Sequence, residues 1–72
     1  MRFRKALNYG WRSTSTYEME LGARWYYINR DNIAFKGPAE LIRNLLNCAL
    51  DGMVCHVKAV YSREKHQLTV EL

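Results

Sequence analysis

Cys48, Cys55, His56 and His66 carry the atoms best suited to hold a metal ion in this chain. Their spacing does not match the paired Cys/His signatures of structural zinc sites. Cys55 and His56 are neighbours in a segment that reads as a strand, so their side chains point to opposite faces. Cys48 flanks a helical apolar stripe, where an unpaired cysteine acts as a small hydrophobe. The expectation is no metal and no cofactor. Two cysteines do not make a disulfide framework, which makes the reducing cytosol the default compartment and a cytoplasmic protein the expectation.

Glu18 and Glu20 are the next candidates, because alternate strand positions share a face. Paired carboxylates hydrolyse glycosides only across a walled cleft, and a chain of 72 residues has little material to build one. These acids are expected to pair across strands with Arg24 or Lys36. Ser13, Ser15 and Ser62 lack a nucleophile-elbow context; His56 and His66 are bases in principle, but nothing in the sequence places a nucleophile beside either one. The four glycines, Gly10, Gly22, Gly37 and Gly52, stand singly and form no phosphate-cradling loop. No catalytic signature emerges, and the chain reads as a non-enzyme.

Cations and aromatics give a stronger signal. Met1 to Thr16 holds four cations (Arg2, Arg4, Lys5, Arg12) and no acid. The remaining residues hold seven cations and seven acids, so the net charge of +4 is local. Phe3, Tyr9 and Trp11 are interleaved with it. Arg24, Tyr26 and Arg30 form a second such group around Trp25 and Tyr27. Cations neutralise phosphates and aromatics stack on unpaired bases, while Tyr, Trp and Arg also dominate protein hot spots. The candidate binding residues are therefore Arg2, Arg4, Lys5, Trp11, Arg12, Arg24, Tyr26 and Arg30.

These residues need a scaffold. Residues 1–7 alternate as an edge strand; the arginine-rich, acid-free start also resembles a transit peptide, but Phe3, Tyr9 and Trp11 look like packing residues. Tyr17, Met19 and Leu21 alternate with Glu18 and Glu20, Gly22 marks a bulge, and the strand resumes as Arg24 to Ile28. Residues 29–32 are turn chemistry, and Ile33 and Phe35 begin a return, giving a hairpin over 17–36. Trp25 and Tyr27 would then be core, with Tyr26 on the solvent side. Gly37 and Pro38 open a helix over 38–51, whose stripe is Leu41, Ile42, Leu45, Leu46, Ala49 and Leu50, with Gly52 as its stop. Residues 53–72 form a second hairpin around a charged turn at 62–66.

The fold expected is α+β: a small two-layer sandwich of order (β)-β-β-α-β-β, one domain over 1–72, with the helix on one mostly antiparallel sheet. The function expected is docking on a larger macromolecule so as to occlude or modulate it, in the manner of small inhibitors or accessory factors of phage and other mobile elements, CRISPR inhibitors included. The partner is a protein or ribonucleoprotein with an acidic or phosphate-lined surface. The alternatives are RNA or single-stranded DNA bound by the same cations and aromatics, and a self-associating module such as a homodimer. A membrane is not expected, since apolar runs fall far short of about 20 residues.

Overall fold

The computed structural model describes residues 1–6 and 15–72. Seven strands and one helix follow in the order β1 (Arg2–Lys5), β2 (Thr16–Leu21), β3 (Arg24–Asn29), β4 (Ala34–Lys36), α1 (Ala39–Leu50), β5 (Cys55–His56), β6 (Ala59–Ser62) and β7 (Gln67–Val70). The architecture is α+β, with one helix against antiparallel-rich sheets. The strands form two sheets instead of one: β3-β2-β1-β5 and β4-β7-β6. The β4–β7 pairing is parallel and the others are antiparallel.

The sheets meet along residues 57–58. Val57 and Met1 exchange backbone hydrogen bonds at 2.9 and 3.0 Å, extending β5 along β1. Glu71 N–H donates to the Lys58 carbonyl at 2.7 Å, extending β6 along β7. One bent segment thus serves both sheets, and the outermost strands β3 and β4 are consecutive in sequence. The strand layer therefore curls back on itself.

The first hairpin differs from the sequence expectation. The chain reverses at Gly22 and Ala23, with Leu21 paired to Arg24, so Gly22 is a turn residue and not a bulge. Its φ of +65° suits glycine. The 29–32 segment is a turn, with the Asn29 side chain accepting the Asp31 N–H at 2.9 Å. It delivers the chain to the second sheet, however, and β4 never returns along β3. The hairpin expected over 17–36 is thus a hairpin over 16–29 plus a strand exported to β7.

The helix begins and ends within a residue of the expected limits. Pro38 sits at its N-cap position, with its carbonyl accepting the Ile42 N–H at 3.1 Å. Gly37, expected with Pro38 to open the helix, has a further duty. It adopts φ +135° where a Cβ would collide with the Val70 carbonyl, so only glycine lets the helix start so close to β7. Leu45, Leu46 and Ala49 are buried against Phe3, Tyr17, Met19, Ile28, Ile33, Leu68 and Val70. Phe3 and Tyr17 stack at 5.1 Å between ring centroids, and Phe35 meets Phe3 edge-on at 6.4 Å.

The cysteines were expected unpaired, and here the structure overturns the expectation. Cys48 in the last turn of α1 and Cys55 on β5 form a disulfide across a Cα–Cα distance of 6.2 Å, within the range a bridge tolerates. Residues 51–54 turn the chain back so that β5 passes the helix end. Closing this short loop contributes about 2 kcal/mol by the chain-entropy relation. The bridge also withdraws the support that two thiols lent to a reducing compartment. No helix among the described residues is long and apolar enough to cross a membrane.

Candidate binding surfaces

The faces of the β1–β3 sheet follow from register. Phe3, Met19 and Tyr26 lie in one row, with Met19 and Phe3 in the core. Tyr26 is therefore on the core-facing side and half-buried, contrary to its expected place on the solvent side. Trp25 and Tyr27 take the outer face. The cause is the two-residue turn at Gly22–Ala23, which fixes the pairing Met19–Tyr26.

On the outer face, Arg2 and Arg4 of β1 meet Glu20 and Glu18 of β2. Arg2 grips Glu20 with two parallel hydrogen bonds, Nε to Oε1 at 3.0 Å and Nη2 to Oε2. Arg4 Nη2 donates to Glu18 Oε2 at 3.2 Å. Both guanidiniums also lie over the Trp25 ring, Arg4 at 3.9 Å and Arg2 at 5.3 Å from its centroid. This ladder runs β1–β2–β3 because Arg4 faces Glu18 and Glu20 faces Trp25. The hydrogen bond from Arg2 holds the Glu20 carboxyl below its ordinary pKa, and Glu20 in turn raises the Arg2 pKa. The Arg4–Glu18 pair is the more enclosed, with side-chain exposures of 33% and 8% against 46% and 21% for Arg2–Glu20. Beside the ladder, Tyr27 is 50% exposed.

Thus the acids expected to pair with Arg24 or Lys36 pair instead with the N-terminal arginines. Strand order decides this: β1 lies on the far side of β2 from β3, a placement that the sequence left open. Among the described residues, the two arginines that the positive segment places on this face are consequently both matched by glutamates.

Lys5 points to the other side of β1. Its Nζ is buried, lies 4.9 Å from the Tyr17 ring centroid and has no hydrogen-bond partner among the described residues. Burial lowers its pKa. Burial raises the Tyr17 pKa, and the Arg30 guanidinium, near the hydroxyl but outside good hydrogen-bond geometry, pulls it partly back. Arg24 is exposed at the hairpin end. Trp11 and Arg12 lie outside the described residues. The candidate set therefore divides: Arg2 and Arg4 share the outer face, Tyr26 and Lys5 turn from it, and Arg30 belongs to a different surface.

That surface is a groove of about 300 Å³ along α1, floored by Ile42, Leu46 and Leu50 and flanked by Arg30, Arg43 and Asn47. A larger groove of about 460 Å³ runs past the disulfide, between Leu41 and Leu45 of α1, Val54 and Val57 beside β5, and Leu72. A small cleft of about 150 Å³ joins Tyr27, Asn32, Tyr61 and His66. His56 lines the disulfide groove and His66 the small cleft, so these bases stand apart, and both candidate carboxylates are engaged by arginine. No group of three His, Cys, Asp or Glu side chains among the described residues is arranged to hold a metal.

No family model, no curated protein and no solved structure matches this chain.

Proposed function

We propose that this chain is a non-enzymatic binding protein that docks on a larger protein and occludes or modulates it. The docking surface is the outer face of β1–β3. One observation carries the choice of a protein over a nucleic acid: Arg2 and Arg4 are each matched by a glutamate on the same face. A phosphate approaching them meets two carboxylates. A protein surface gains from the same arrangement, because Trp25, Tyr27 and arginines held rigid by ion pairs are hot-spot residues already ordered before contact. The partner's surface is then mixed in charge, with an apolar contact for Tyr27.

The reading is tested by affinity capture with the wild type and with Tyr27→Ala and Arg2→Glu. A stoichiometric protein partner retained by the wild type and lost by both variants is expected. Equal retention by all three overturns the choice of face.

A second reading, binding of single-stranded nucleic acid, draws support from the small cleft of about 150 Å³ lined by Tyr27, Tyr61 and His66, residue types that stack on bases. Lys65 and Arg63 stand in the adjoining turn. Fluorescence anisotropy with labelled single-stranded oligonucleotides separates the two, since this reading requires a steep salt dependence and loss of binding in Tyr27→Ala.

A further inference from the structure

The helix-flank groove is an interaction site of different character. Its helical contributors recur at three- and four-residue spacing along Ala39–Leu50, so they form one face about 18 Å long. Leu46 is buried at the floor of that face, Ile42 beside it is half-buried, and Leu50 is 48% exposed, so the apolar line opens to solvent toward the end of the helix. Arg43 borders it from the helix and Arg30 from the end of β3. The two ion pairs among the described residues engage Arg2 and Arg4, so neither groove arginine has a carboxylate within 4.0 Å there. Two such guanidiniums flanking an apolar line ask for acidic groups flanking an apolar ridge. Arginine is suited to that demand because its planar fork is weakly hydrated and pairs carboxylates with two parallel bonds.

We infer that this groove binds an acidic amphipathic segment of a partner protein. The segment lies along α1 as a helix, with apolar side chains at i, i+3/i+4 and i+7 against Ile42, Leu46 and Leu50. Its carboxylates face Arg30 and Arg43. The groove is formed by α1 and the chain after β3, so the inference stands apart from the proposal for the outer sheet face.

The test uses the full chain, isotope-labelled for amide spectra, and a synthetic Leu/Glu peptide of about four helical turns with leucines at the spacing above. A Leu/Lys peptide of the same pattern and a single-stranded oligonucleotide serve as competitors. Shifts are expected at Arg30, Ile42, Arg43, Leu46 and Leu50, and binding weakens as salt rises. Arg43→Glu, an exposed helical position, lowers affinity for the acidic peptide about tenfold, the scale of one lost charge-assisted contact. It raises affinity for the basic peptide. Leu50→Glu repeats the loss through the apolar line, whereas Tyr27→Ala leaves the peptide affinity unchanged. Absence of shifts at the groove, equal binding of the two peptides, or tighter binding of the oligonucleotide at these residues overturns the inference.

Discussion

The outer sheet face and the helix-flank groove each hold two arginines beside apolar surface, yet they are electrostatic opposites. On the sheet, Arg2 and Arg4 come from the segment that carries the chain's excess charge, and both are matched by glutamates. In the groove, Arg30 and Arg43 come from the part of the chain whose charges cancel, and both lack a carboxylate partner among the described residues. Charge counted along the chain and charge presented to a partner are therefore different quantities. Strand pairing converts one into the other, because it decides which side chains stand within reach of each other.

Stability measurements can break this contrast. The largest effect is expected from Arg4→Met, which leaves the enclosed Glu18 carboxylate without its partner. Removing one member of a part-buried pair costs about 2–3 kcal/mol, between the costs for exposed and fully buried pairs, read as a fall in the denaturant midpoint. A cost below that of Arg2→Ala would show that the pair is not enclosed. Replacing Cys48 and Cys55 by alanine comes next, at about 2 kcal/mol, or a fall of roughly 8–16 °C in Tm. The same loss on reduction of the wild type would assign it to the bridge. Arg2→Ala breaks an exposed, solvent-screened pair and is expected to lower the midpoint less than either of these. Arg43→Ala is expected to change stability by less than about 0.5 kcal/mol, since its worth lies in binding.

Titration sharpens the same comparison. The Glu20 carboxyl has a lowered pKa because Arg2 bonds its charged form. Its contribution is present above the unfolded carboxyl pKa and is lost as pH falls through the lower folded value. Arg2→Ala should move the carboxyl resonance midpoint of Glu20 upward. Lys5 runs the opposite way, because burial penalises its ammonium in the folded state. Stability therefore rises as pH climbs from the folded pKa of Lys5 toward its unfolded value. Lys5→Met should remove that rise, and an unchanged profile would place Lys5 in water.

Much of the fold was legible in local patterns. The stripe of Leu41, Leu45, Leu46 and Ala49 marks the helix, and the alternation of Tyr17 and Met19 marks a strand with those residues in the core. What stayed hidden depends on long-range geometry. Gly22 at φ +65° suits a bulge or a turn equally from sequence, and the choice between them sets the face of every residue from Arg24 to Asn29. That single ambiguity reverses Trp25, Tyr26 and Tyr27. The parallel contact of β4 with β7 joins segments about thirty residues apart and leaves no local mark. The disulfide needed the return at residues 51–54 that brings β5 back past the last helical turn. For the candidate site, the presence of Arg2 and Arg4 on one face was legible, but their neutralisation by Glu20 and Glu18 was not. Each pairing spans β1 and β2, whose neighbourhood no local pattern specifies.

The central claim is that the outer sheet face is a charge-matched protein-docking surface and not a phosphate-binding one. Its most direct test is the anisotropy of a labelled single-stranded oligonucleotide titrated with the wild type and Arg2→Ala over a salt series that includes physiological ionic strength, where the affinities are compared. The account predicts affinity no better than the weak non-specific range of about 10⁻⁴ M, with the same salt slope for both proteins. Micromolar binding whose salt slope falls by about one on removal of Arg2 would contradict it.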